Sequence, residues 1–150
     1  MYKVFFEDIN VGDTSEFGSY LVSKEEIIDF AQKYDPQPFH LDEEAAKSSV
    51  FGGLCASGWH TCAMLMRMLV DNMTKLGMAS LGSPGMDGIK WKRPVMVGDT
   101  LSVKAKVDAK RDSASRPTIG FLKGTYEVLN QKGETVMIMH SNYMVAKRNK

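Results

Sequence analysis

The stretch Trp59-His60-Thr61-Cys62-Ala63-Met64-Leu65-Met66-Arg67-Met68-Leu69-Val70-Asp71-Asn72-Met73-Thr74-Lys75-Leu76 decides the fold. Wound as a helix, it places apolar side chains on nearly every face of its first three turns. A helix apolar all round must be wrapped by other structure or lie in a membrane. Its length and the charges of Arg67, Asp71 and Lys75 suit a membrane poorly, since a span needs about 20 apolar residues. A buried central helix is predicted. The methionine excess, 11 in the chain, finds a use there, because methionine fills irregular gaps around a core helix.

On the C-terminal side the pattern changes from helical to extended. Beyond a Gly/Ser/Pro loop at 82–85, the runs 86–94, 100–109, 118–129 and 134–145 are rich in strand-forming residues. Clusters at Asp112–Pro117 and Asn130–Gly133 read as hairpin connections, giving an antiparallel meander. On the N-terminal side, Glu16–Val22 alternates loosely as a strand. Ser23 reads as a helix N-cap with Glu26 completing a capping box. Ile27, Ile28, Phe30, Ala31 and Tyr34 then share one helical face. Asp35-Pro36-Gln37-Pro38 ends that helix, and Asp42 caps a short one after it. A long apolar helix followed by long strands is an α+β order. Its simplest packing is a curved antiparallel sheet wrapped around the central helix, the hot-dog architecture, in a single domain spanning residues 1–150.

Composition excludes several classes. Residues are 43% hydrophobic and 25% charged, ordinary for a globular domain. Nineteen Lys and Arg against 18 Asp and Glu leave a charge of +1, so no basic excess points to nucleic acid or an anionic membrane. Cys55 and Cys62 have neither zinc nor redox spacing and are expected as reduced core residues. His40, His60 and His140 lack metal-ligand spacing, so no metal is expected. The first eight residues have no signal-peptide core, and a cytoplasmic location is expected.

Two segments carry candidate chemistry. In Asp35-Pro36-Gln37-Pro38-Phe39-His40 the prolines stiffen a loop that holds a carboxylate and an imidazole five residues apart. Such a pair beside one water supplies a base to deprotonate it and an acid to return a proton. In Phe51-Gly52-Gly53-Leu54-Cys55-Ala56-Ser57-Gly58, Ser57 reads as the N-cap of the central helix and Gly58 as a point of close backbone approach. Free N–H groups there carry partial positive charge and suit a developing oxyanion.

Together with Phe30-Ala31-x-x-Tyr34, Leu41-Asp42, Glu44-Ala45-Ala46 and Arg93-Pro94-Val95-x-x-Gly98-Asp99-x-Leu101, these segments resemble the MaoC-like, (R)-specific enoyl-CoA hydratase family over nearly the whole chain. The resemblance implies a hot-dog homodimer adding water reversibly, in syn fashion, across the double bond of a 2-enoyl-CoA thioester. It needs no cofactor; the coenzyme A thioester is the substrate. Asp35 and His40 match the catalytic dyad, with Asp35 favoured as base and His40 as acid. Gly58 matches the glycine whose N–H meets the thioester oxygen. Gln37, Phe39, Phe51, Ser57 and Trp59, within or beside these motifs, are expected to meet substrate.

The chain departs from the family pattern in three places. Gln37 stands where asparagine is usual, Ser57 where histidine is common, and Met66 where many members carry a small hydroxyl near the carboxylate. Thr61 is the candidate to take that hydroxyl's place. His60 and His140 are expected as structural residues, and Lys90, Lys92 and Arg93 beside Trp91 as a solvated strand face. One rival is a thioesterase on the same fold, which calls for a carboxylate on the central helix near the thioester; the acid there, Asp71, lies more than three turns in. The other rival, a non-catalytic acyl-CoA-binding subunit, has no need of the dyad.

Overall fold

The computed structural model describes residues 1–149; Lys150 lies outside them. A single 3-10 turn, Phe6–Asp8, precedes strand β1 (Thr14–Leu21). Helices α1 (Lys24–Tyr34), α2 (Pro38–Leu41), α3 (Glu43–Lys47) and α4 (Gly58–Leu76) follow. The chain closes with β2 (Ser80–Trp91), β3 (Thr100–Asp112), β4 (Ile119–Leu129) and β5 (Thr135–Ala146). All neighbouring strands pair antiparallel in the order β1-β3-β4-β5-β2. This is the hot-dog fold: an α+β domain in which one sheet curves around α4.

The core lies between α4 and the concave face of the sheet. Met64, Leu65, Met68 and Leu69 pack against Leu101, Val103, Val128, Met137 and Met139, all buried. Their spacing on α4 marks the buried stripe. Gly77 ends the helix at φ 69°, and its N–H reaches the Met73 and Thr74 carbonyls; such a left-handed cap favours glycine.

Four sequence expectations need correction. Residues 82–85 do not form a loop before the strand. They lie inside β2, which runs against β5 with register shifts at Ser80/Gly82, Gly82/Gly85 and Met86/Gly88. The glycines permit bulges that keep the strand paired. The Ser23 hydroxyl accepts from the Glu26 N–H at 3.2 Å, but the Glu26 side chain does not return the bond. It bonds Tyr20 and His60 instead, so half of the capping box is absent. The segment before His40 is not loop throughout, because Pro38 opens α2 at its first position, where proline's missing N–H costs nothing. Finally, α4 is not wrapped on every face. Trp59, Met66 and Val70 stay exposed, and their spacing of seven and four puts them on one stripe.

Candidate active site

Asp35 caps α1 at its C-terminus, its N–H bonded to the Ala31 carbonyl. Its side chain turns toward His40 on α2, where Oδ2 lies 3.4 Å from Nε2. His40 Nδ1 lies 2.7 Å from the Cys55 carbonyl oxygen. A carbonyl only accepts, so Nδ1 carries the hydrogen and Nε2 is the nitrogen that works on Asp35's side. The ring is buried and packs edge-on against Phe39 at 4.6 Å. The strand-like segment that supplies the Cys55 carbonyl is itself fixed, by a bridge from Cys55 to Met96 and by the Ala56 N–H on the Val95 carbonyl.

Gln37 orients the other carboxylate oxygen: its Nε2 donates to Asp35 Oδ1 at 2.6 Å. Burial pushes the Asp35 carboxyl up, but the nearby Ser57 hydroxyl, the Gln37 amide and the charge on His40 outweigh it. The group is held below the ordinary aspartate value of 3.8. The anionic form of Asp35 is thereby favoured.

Ser57 does not cap α4 through its side chain. Its Oγ is buried, close enough to Asp35 to help hold that carboxyl down, yet it completes no hydrogen bond of ordinary geometry with the protein. A buried hydroxyl without a partner costs about 1–3 kcal/mol. Gly58 is the first residue of α4, and its N–H has no partner within the helix. Trp91 covers the glycine and donates Nε1–H to its carbonyl at 3.0 Å. A Cβ on Gly58 would lie 2.5 Å from the indole, which makes the close approach expected from sequence concrete.

These groups meet at an open cleft of about 400 Å³ lined by Asp35, Phe51, Ser57, Gly58, Trp59, Thr61 and Trp91, among others. Of the residues expected to meet substrate, Phe51, Ser57 and Trp59 line the cleft. Gln37 acts behind Asp35, and Phe39 supports the His40 ring rather than facing the opening. His40 sits behind Asp35, so access to it runs past the carboxylate. Met66 is exposed two turns further along α4 than Trp59 and does not line the cleft. Thr61 does line it, though its hydroxyl leans 3.5 Å toward the Ser57 carbonyl.

The remaining candidates sort cleanly. His140 is exposed on β5 beside Thr125. Arg93 pairs with Glu134 at 3.2 Å, while Lys90 and Lys92 are exposed on their strand and its end. Cys55 and Cys62 are free thiols, and burial pushes Cys55 up to about 11. Asp71 pairs with Arg67 on the exposed side of α4. Among the described residues, no cluster of three or more His, Cys, Asp or Glu is placed to hold a metal. No described helix is long and apolar enough to cross a membrane.

The MaoC like domain matches residues 9–126, which span the dyad, Gly58 and most of the sheet. The chain belongs to the MaoC-like dehydratase family. The solved structure of the MaoC-like dehydratase from Rhodospirillum rubrum is 39% identical, superposes with a TM-score of 0.88, and covers 99% of this chain and 100% of its own. The uncharacterized protein YdeM of Bacillus subtilis is 29% identical over 126 residues, 84% of this chain and 87% of the relative. A 3-hydroxybutyryl-CoA dehydratase of Methylorubrum extorquens is 29% identical over 105 residues, 69% of this chain and 64% of the relative. The membership accounts for the ordered motifs from the α1 helix to Leu101. What sequence reasoning missed in the site is the bond from His40 to the Cys55 carbonyl. Fifteen residues separate the two, and a main-chain acceptor leaves no mark in the side-chain pattern.

Proposed function

We propose that this MaoC-like protein is an acyl-CoA hydratase/dehydratase, adding water reversibly and in syn fashion to a 2-enoyl-CoA to give a 3-hydroxyacyl-CoA. The observation that carries this is the Asp35–His40 pair, 3.4 Å apart, whose carboxylate lines the cleft where α4 begins at Gly58. The dehydratase named among its relatives supports the same class of substrate.

In this scheme the thioester carbonyl lies against the Gly58 N–H at the positive end of α4, which stabilises the enolate that forms as water adds. One water is held jointly by Asp35 Oδ2 and His40 Nε2, on the cleft side of the pair. Asp35 takes a proton from it as its oxygen bonds to the β-carbon. His40 gives its Nε2 proton to the α-carbon from the same side of the double bond. Because Nδ1–H is committed to Cys55, His40 serves as acid only as the imidazolium, through the Nε2–H that faces Asp35 Oδ2. Afterwards the proton on Asp35 returns to His40, and the pair is reset. Ser57 Oγ, buried and unbonded, completes the shell around the water or the carboxylate. Phe51 and Trp59 bound the acyl side of the cleft. The chemistry uses no cofactor beyond the coenzyme A of the substrate.

The assembly proposed is a homodimer. The exposed stripe of Trp59, Met66 and Val70 and the edge strand β2 give a second copy an apolar face and unpaired backbone to cover. Light scattering at micromolar concentration should report twice the chain mass.

The deciding experiment is incubation with crotonyl-CoA and with longer and branched 2-enoyl-CoA thioesters, following enoyl absorbance and free thiol together. Absorbance loss without thiol supports hydration. Thiol release in step with substrate loss would instead establish the thioesterase, and binding without turnover the non-catalytic subunit.

A further inference from the structure

Outside the cleft, the most unusual polar cluster in the molecule joins Tyr20, Glu26 and His60. Glu26 Oε1 accepts from the Tyr20 hydroxyl and from His60 Nε2–H, the latter at 2.9 Å. The His60 ring is buried, lies flat on Phe30 at 4.8 Å and 9°, and leaves Nδ1 buried without a partner. Packing alone does not call for such an arrangement, because an apolar side chain would fill the volume without stranding a ring nitrogen. None of the three residues lines the catalytic cleft; they border a separate recess on α1 and α4.

What the cluster does follow from is which elements it ties. Tyr20 lies on β1, Glu26 in the first turn of α1, and His60 in the first turn of α4. The far end of α1 is capped by Asp35, and α4 starts at Gly58, two residues before His60. Between the clamp and Asp35 the contacts are continuous. Phe30 stacks on His60, Tyr34 tilts onto Phe30 at 5.0 Å, and Asp35 is the next residue. Burial pushes the Glu26 carboxyl up, but the Tyr20 and His60 hydrogen bonds outweigh it and leave it below its ordinary value. The acceptor therefore stays charged, and its bonds are of the stronger, charge-assisted kind.

We propose that Tyr20, Glu26 and His60 form a positioning clamp that sets the Asp35 carboxylate against the Gly58 N–H, so that the reacting thioester is held between them. The proposal rests on the hydratase reading and assigns its distance control to groups that never touch substrate. An error of about 1 Å in such a distance can cost a hundredfold in rate, which is why a clamp one helix away matters.

The test uses the full chain with Glu26→Ala, Glu26→Gln, His60→Phe and Tyr20→Phe. Glutamine keeps an oxygen to accept both bonds, and phenylalanine at 60 keeps the stack on Phe30. Hydration of crotonyl-CoA is measured per folded molecule, alongside NMR of the Gly58 amide and the His40 ring. Glu26→Ala and His60→Phe should each lower kcat by about tenfold or more with KM changed less than about threefold. The double variant should be little worse than either. Tyr20→Phe should lose less, and Glu26→Gln should stay within about threefold of the parent. The Gly58 and His40 resonances should shift in the impaired variants and hold in Glu26→Gln. If Glu26→Ala does not fold, His60→Phe and Tyr20→Phe carry the same comparison. Folded variants with parental kcat and unmoved resonances would overturn the clamp. If the parent itself hydrates no 2-enoyl-CoA, the functional reading fails, and the resonances still decide whether the cluster governs the site's geometry.

Discussion

His40 Nε2 faces Asp35 Oδ2 at 3.4 Å while Nδ1 of the same ring is bonded to the Cys55 carbonyl at 2.7 Å. The backbone acceptor fixes which nitrogen can exchange a proton with the site. It also ties His40 to the segment leading into α4 at Gly58. The consequences can be checked residue by residue.

The Asp35 carboxyl should titrate below the usual aspartate value of 3.8 when followed by ¹³C NMR. Its folded pKa is depressed, so its contribution to stability is present above the unfolded value and is lost as pH falls through the folded one. Gln37→Leu removes the 2.6 Å donor to Oδ1, and the carboxyl should then titrate higher. The loss of orientation should lower kcat about tenfold. An unchanged titration in Gln37→Leu would show that the amide does not hold the carboxylate.

Ser57→Ala separates a functional hydroxyl from a structural one. Because Oγ is buried without a hydrogen bond, removing it should leave the melting temperature unchanged or raise it, while kcat falls by about tenfold. A lowered Tm with full activity would reverse that assignment.

Gly58→Ala tests the close approach. The added Cβ would fall 2.5 Å from the Trp91 indole and force it off the Gly58 carbonyl. A change in tryptophan fluorescence should accompany a loss of about 10² in kcat, since alanine keeps the N–H but the clash moves it out of place. Wild-type fluorescence and rate together would show that the space is not used.

Leu65 is fully buried against the sheet. Leu65→Ala should lower the unfolding free energy by about 2–5 kcal/mol in denaturant titration, with the dyad's chemistry retained in the folded fraction.

Much of this was legible in the chain itself. The all-apolar opening of α4 and the extended runs after it specify a helix inside a sheet, because local periodicity and burial point the same way there. The Asp35 and His40 positions were legible through their motif. The corrections fall where tertiary partners override local rules. Glu26 has the spacing of a capping box, but charge-assisted bonds to Tyr20 and His60 outcompete the return bond to its own helix. Ser57 sits at an N-cap position, yet its hydroxyl is turned toward Asp35. The stripe of Trp59, Met66 and Val70 is exposed in the single chain, and its apolar pattern does not distinguish it from the buried stripe beside it.

The central claim is that Asp35 and His40 act together on one water. Its most direct test is the initial rate of crotonyl-CoA hydration by the parent, Asp35→Asn and His40→Gln, each confirmed folded by circular dichroism. The account predicts that kcat falls by about 10²–10⁴ in both variants with little change in KM. Parental kcat in either variant would contradict it.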